Sequence, residues 1–258
     1  MKIMMIRHGD PDYGKDSLTP KGWREAELLA DRLSQLEIRA FYCSPLGRAK
    51  DTAGVTLKRM GRRAEELGWL REFPASVADP ETGESRIAWD LQPSFWTERL
   101  ALYDKDAWPS DPLMRTGDAA RFARAVTDGL DEVLARHGYV RRGGFYRAAE
   151  RNDDTVVFFC HFGVACVMLA HLLGISAPVL WHGLFLAPTS VTMLVTEERR
   201  EGDAYFRCIA AGDTSHLRCA GEPISASGMF AETWDSRVPD ARPSAIDGKG
   251  RLLYPENG

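Results

Sequence analysis

Apolar side chains in this chain fall into short unbroken runs and into stripes spaced three and four residues apart, and the two kinds alternate. Lys2–Ile6 is one run, and it stops abruptly at Arg7-His8-Gly9. That is the profile of a strand buried on both faces and ending in a loop. Thr19-Pro20 then opens a helix, with Thr as cap and Pro at its first position. It is expected to run to about Leu36 with Trp23, Ala26, Leu29, Ala30 and Leu33 facing inward. Ile38–Cys43 reads as a second strand. Ser44-Pro45 opens a second helix carrying Arg48, Ala49, Thr52, Ala53 and Val55. Further on, the pattern predicts a helix from Ala119 to about His137 with Phe122, Val126, Leu130, Val133 and Leu134 inside. A basic segment, Arg141 to Arg151, precedes a strand at Thr155–Cys160, a helix at Val164–Leu173, and strands near Ser190–Thr196 and Tyr205–Ala211. Strands alternating with amphipathic helices are the mark of an α/β fold.

Two stretches break the rhythm. From Phe73 to Asp118 the chain is rich in Pro and Asp and carries Trp89, Phe95, Trp96, Tyr103 and Trp108. A structureless loop of that length is uncommon in a compact domain, so it reads as a small, partly helical insertion or lid whose aromatics form a mini-core of their own. From Arg218 onward Gly, Pro, Ser and Asp dominate, which predicts an irregular tail over the surface, with Phe230, Trp234 and Leu252-Leu253-Tyr254 as its candidate pins. The expected organisation is one domain over residues 1–217, with the insertion at about 73–118, and a tail over 218–258.

Composition narrows the class. At 258 residues, 44% hydrophobic and 27% charged, the chain is globular. A net charge of −4 argues against blanket phosphate neutralisation, so no nucleic-acid partner is expected. The five cysteines are an odd number with no paired spacing, and Cys43, Cys160 and Cys166 sit in apolar stretches. Together with an apolar N-terminal run too short for a signal peptide, this predicts a cytoplasmic protein. Residues 156–196 carry no Asp, Glu, Lys or Arg, but His, Gly and Pro interrupt them, so a buried strand, helix and strand is expected there and no membrane span.

Candidate chemistry gathers where apolar runs end. Arg7-His8-Gly9 follows the first strand, and Ser44-Pro45-Leu46-Gly47-Arg48 the second. Glu72 follows the apolar run Leu67–Leu70, and His161 follows Thr155–Cys160. At the carboxyl ends of parallel strands such side chains converge on the crevice where α/β sheets bind ligands. Two Arg and two His together call for an anion between them, and Arg presents a planar fork suited to phosphate oxygens. Among the other histidines, His171 reads as structural, while His182 and His216 read as core or surface groups, with lining of the site's rim as the alternative. Arg141, Arg142, Arg147 and Arg151 read as a solvated basic loop. No set of residues has zinc spacing and no phosphate loop of the GxxxxGK[ST] kind is present, so no metal and no cofactor are expected.

The chain resembles the histidine phosphatase superfamily, the phosphoglycerate-mutase-like or RHG-motif proteins. The matching text is MMIRHGD at 4–10, LTPKGWREAELLADRL at 18–33, YCSPLGRAKDTA at 42–53, VVFFCHFGVACVML at 156–169 and GDTSHL at 212–217. The resemblance implies a three-layer α/β sandwich with a mixed, mostly parallel sheet between helices. It implies that His8 is the nucleophile that takes a phosphoryl group, that Arg7, Arg48 and His161 hold the phosphoryl oxygens, and that Glu72 is the acid and base. Flanking cations are expected to lower the His8 pKa. Glu81, Glu84 and Asp90 are rivals to Glu72, because the sequence after it does not reproduce the usual Gly-rich phrase. Tyr13 and Trp89 are further candidates for substrate contact. Asp10-Pro11-Asp12-Tyr13-Gly14 replaces the phrase typical of the mutase branch, which favours transfer to water. Cys160 and Phe162 flank His161 where small or polar residues are usual, giving a drier pocket wall. The expected function is metal-independent hydrolysis of a small phosphorylated substrate, with a phosphoryl mutase or a weakly catalytic, phosphate-binding regulatory protein as alternatives. A homodimer is compatible with this reading.

Overall fold

In the computed structural model, which describes residues 1–150, 152–238 and 241–254, side chains of the first strand alternate between two apolar layers. In β1 (Lys2–Arg7), Ile3 and Met5 face one layer and Met4 and Ile6 the other. The period of two that separates the faces of any strand thus buries every residue from Ile3 to Arg7. The other strands of the main sheet are β2 (Ala40–Cys43), β3 (Glu65–Glu66), β4 (Tyr139–Arg142), β5 (Phe145–Ala148), β6 (Thr155–Cys160), β7 (Val191–Arg200) and β8 (Asp203–Asp213). They lie in the order β3-β2-β6-β1-β7-β8-β5-β4. Strands β3, β2, β6 and β1 run parallel and form the half that bears the site, and β7, β8, β5 and β4 continue it antiparallel. Helices α1 (Pro20–Leu33) and α2 (Gly47–Met60) cover the Met4 face. Helices α3 (Ala119–Arg136), α4 (Phe162–Leu173) and α5 (Ala177–Gly183) cover the other. The mixed sheet between helices is the expected fold class. Fully buried side chains such as Phe158, Phe159 and Leu29 each stabilise it by about 1.5–3 kcal/mol.

Helix α1 starts where its cap predicts: Thr19 Oγ1 accepts the Gly22 N–H, with Pro20 at the first position. Its inner face differs from expectation. Trp23 is 41% exposed, and the buried acid Glu25 stands on the packed side. Helix α5 goes beyond the strand, helix and strand expected over 156–196: Pro178 does not break the chain there but sits in the helix's first turn, where no N–H is required. The basic segment is a β-hairpin, β4–β5, with Tyr146 buried beneath it. Arg147 pairs with Asp203 and Arg141 donates to the His171 carbonyl, so neither is simply solvated, and Arg151 lies outside the described residues. The run Leu67–Leu70 ends in a 3-10 turn, Gly68–Leu70, that drops Leu70 into the core, not in a strand end.

The insertion contains a hairpin (Ser76–Ala78 with Ser85–Ile87), a short helix at Pro93–Trp96, two 3-10 turns and a helix at Pro112–Thr116. Its aromatics do not form a separate mini-core. Trp108 lies 5.1 Å and Trp89 6.0 Å from the Trp181 ring of α5, within the main apolar cluster. Beyond Arg218 three two-residue strands form a small antiparallel sheet. Ile224 and Ala226 are its buried anchors, whereas Phe230, Trp234, Leu253 and Tyr254 are exposed. No helix among the described residues is long and apolar enough to cross a membrane.

Candidate active site

Register builds the site. Arg7 lies opposite Cys160, and Phe159 opposite Cys43, so β1, β6 and β2 end at one level. The residues that follow, His8, His161 and Ser44, therefore emerge side by side. The His8 and His161 rings stand 5.1 Å apart, tilted by 54°. His8 Nδ1 lies 2.8 Å from the Gly9 carbonyl oxygen, which can only accept, so the proton is on Nδ1 and the Nε2 lone pair is free. Ser44 Oγ lies 2.7 Å from His161 Nε2 and accepts the Leu46 N–H. With the Ser44 hydroxyl as the donor to Nε2, the ring proton of neutral His161 sits on Nδ1.

Burial is the first reason both imidazoles are held neutral. His8 and His161 are 2% and 0% exposed, and loss of hydration pushes each pKa well below its ordinary value. For His8 the charges of Arg7 and Arg48 add to this; for His161 the neighbours His8, Arg48 and Arg7 do. The cations expected from the sequence to depress His8 thus contribute second, after desolvation.

Two guanidiniums flank the pair. Arg7 donates through Nη1 to the Leu186 carbonyl at 2.7 Å and through Nη2 to the Ser227 carbonyl at 3.0 Å. Arg48 reaches the site from the start of α2, its Nη1 donating to Asp16 Oδ1 at 2.5 Å, while Asp16 Oδ2 accepts the Gly47 N–H. With their ends tied, Arg7 Nε, Arg48 Nε and His161 Nδ1 remain buried with no hydrogen-bond partner among the described residues. Unpaired donors of this kind are rare in folded proteins and costly to bury. Three of them on the side chains around His8 fit an oxyanion.

Glu72 completes the group. Its Oε1 accepts the Phe73 N–H at 2.9 Å and the Val164 N–H at 3.2 Å, placing the carboxyl against the first turn of α4. Burial raises its pKa above the usual value, opposed by these N–H groups and by Arg7 and Arg48. Both N–H bonds fall on Oε1, so an acid proton belongs on Oε2. The rivals are less well placed. Glu81 and Glu84 are exposed near the insertion's hairpin turn, and Asp90 is ion-paired to Arg242 at 3.8 Å. Gly163 permits the close approach. A Cβ there would lie 2.6 Å from the Trp89 ring and 2.8 Å from Glu72 Oε1.

The structure thus brings Arg7, His8, Arg48, Glu72 and His161 together, with Tyr13 and Trp89 at the margin. Arg48 lies 5.4 Å from the centre of the Tyr13 ring, Tyr13 also acts on the charge of Arg7, and Trp89 stands over Gly163. The remaining histidines serve packing. His171 pairs with Asp131, His182 stacks on Trp96, His137 bonds Tyr42, and His216 bonds Thr189, with burial bringing its pKa down to about 4. Sequence reasoning gave no role to Ser44, Asp16 or Ser227, nor to Thr52, which accepts the Gly9 N–H at 2.9 Å. Only the position of Ser44, directly after a strand, was a usable signal.

The sequence model of the histidine phosphatase superfamily (branch 1) matches residues 3–202. A 2,3-bisphosphoglycerate-dependent phosphoglycerate mutase from Thermoplasma acidophilum is 41% identical over 66 residues, a match spanning 21% of this chain and 33% of that protein. An adenosylcobalamin/α-ribazole phosphatase from Escherichia coli is 21% identical over 192 residues, 70% of this chain and 84% of that protein. Among solved structures, a phosphoserine phosphatase from Entamoeba histolytica superposes with a TM-score of 0.56 at 20% identity, covering 84% of this chain and 98% of that one. A mycobacterial glucosyl-3-phosphoglycerate phosphatase gives a TM-score of 0.56 at 20% identity over 83% and 99%. At these identities the structural likeness speaks for the fold.

Proposed function

The chain belongs to the histidine phosphatase superfamily, and from that membership we propose that it hydrolyses small phosphomonoesters through a phosphohistidine on His8. The observation that carries the reading is the His8 imidazole, its Nδ1–H given to Gly9 and its Nε2 lone pair left free beside three uncommitted N–H groups. The lone pair attacks phosphorus while the ester P–O bond breaks. Arg7, Arg48 and His161 hold the non-bridging oxygens as their charge redistributes. Glu72 gives the proton on Oε2 to the leaving oxygen. In the second half, water attacks phosphorus and yields its proton to the Glu72 carboxylate. The P–N bond then breaks, releasing inorganic phosphate and restoring both groups.

A phosphoryl mutase is the second reading, favoured by the local match to a mutase over 66 residues. The test is a panel of sugar phosphates, nucleotides, phospho-acids and phosphopeptides, assayed for inorganic phosphate with and without a phosphorylated acceptor. Release of phosphate to water is expected. Capture by the acceptor in preference to water establishes the mutase, and tight phosphate binding without any turnover a regulatory binding protein. Since Arg7 and Arg48 supply the positive charge and His161 a further N–H for the oxyanion, excess EDTA is expected to leave kcat unchanged, and vanadate to compete with substrate. Activity lost on chelation and restored by Mg²⁺ overturns the mechanism.

The crowding at Gly163 gives a further expectation. Gly163→Ala is expected to displace Glu72 and Trp89 and to lower stability by about 1–3 kcal/mol, the usual scale of overpacking. Thermal melting reads the stability, and kcat should fall in step because the acid has moved. Unchanged kcat in the folded variant contradicts the placement of Glu72.

A further inference from the structure

Among the described residues the proposed nucleophile is almost inaccessible: His8 is 2%, His161 0% and Arg7 6% exposed. Part of what covers them comes from beyond the family match. The C-terminal segment is rooted on the domain by Ile224 packed with Ala187 and Leu217, and by Glu222 paired with Lys21 and Arg24. From that root Ser225 Oγ donates to the Asp10 carboxylate, two residues after His8, and the Ser227 carbonyl accepts from Arg7 itself. Farther along the same segment Arg242 lies over the Phe230 ring, 3.6 Å from its centre, and pairs with Asp90 at 3.8 Å. Asp90 follows Trp89, the ring that stands over Gly163 beside Glu72. One segment therefore holds Arg7 on the phosphate side and meets the insertion on the side where the leaving group departs.

We propose that the C-terminal segment and the insertion close together over the site, latched by Arg242 and Asp90, so that small phosphomonoesters reach His8 and phosphorylated side chains of peptides and proteins are excluded. This rests on the phosphatase reading above and deepens it to a substrate class. A small ester brings little beyond its phosphate for the latch to cover. A peptide enters with chain on both sides of its phosphate and requires the latch to stay open through turnover.

The test compares the full chain with Arg242→Glu, Asp90→Lys and the double variant carrying both changes. The readout is the ratio of kcat/KM on a short phosphopeptide to that on p-nitrophenyl phosphate. The Arg242 side chain is 47% exposed, so its change is a surface one and the fold is expected to persist. A half-exposed ion pair is worth little, so each single variant should raise the ratio roughly two- to fivefold. The double variant, with the charges exchanged, should return it toward the wild-type value. A merely structural role for Arg242 would shift both substrates alike and show no rescue. Turnover of both substrates by all four proteins with an unchanged ratio, or no rescue in the double variant, overturns the latch and leaves the phosphatase reading standing. No phosphate released from either substrate by the wild type overturns both.

Discussion

His8→Ala is expected to lose phosphomonoester hydrolysis while remaining folded. The imidazole supplies the bond-forming lone pair, and no neighbour can replace it: His161 is held through Nε2 by Ser44, and its Nδ1 carries the proton. Loss of a group that acts in concert with its surroundings is felt on the order of 10⁶-fold in kcat. The fold should survive, because among the described residues the imidazole hydrogen-bonds to nothing but the carbonyl of the adjacent Gly9. Quenching the wild type without acid during turnover of labelled substrate should trap an acid-labile, base-stable adduct on the peptide containing His8. Label on another residue, or ample turnover by the variant, removes His8 from the mechanism.

Glu72→Gln should produce the second-largest loss, and its size should depend on the substrate. A general acid contributes on the order of 10²–10⁴-fold when the leaving oxygen needs a proton. An alkyl phosphate should therefore slow by that amount. p-Nitrophenyl phosphate, whose leaving group departs without much help, should slow at least about tenfold less. The pH profile supplies a second check. Burial raises the Glu72 pKa, so the acid form is present below that raised value and activity falls as pH rises through it. Burial and Arg7 lower the His8 pKa, so the neutral nucleophile persists until pH falls well below the usual imidazole range. The wild type should thus lose activity at both ends, and Glu72→Gln should lose the alkaline limb alone. If Asp90→Asn shows the leaving-group dependence instead, the acid rides on the insertion and proton delivery is coupled to closure.

Much of this architecture is local information. The apolar runs of β1 and β6, the Thr-Pro start of α1 and the inward stripe of α3 are written in neighbouring residues, since periods of 2.0 and 3.6 decide which side chains share a face. The ends of those runs also place Arg7, His8 and His161, because a buried strand that stops at polar residues delivers them to its carboxyl edge. Other features were beyond such reading. Pro178 marks a helix's first turn only once Trp181 has a core to enter, and the insertion's tryptophans joined the main core because α4 and α5 offered apolar faces beside them.

The pairing of groups far apart in the chain comes from the assembled fold. Ser44 meets His161 across 117 positions, Glu72 meets Val164 across 92, and Arg7 meets Ser227 across 220. Each pairing depends on strand register and helix packing, which no local period records. Burial, the main cause of the shifted pKa values of His8, His161 and Glu72, is likewise a property of the assembled core and its covering segments. Local order along the chain dictates which side chains stand at the strand ends. Packing determined which of their atoms are tied, which are free, and how little water reaches them.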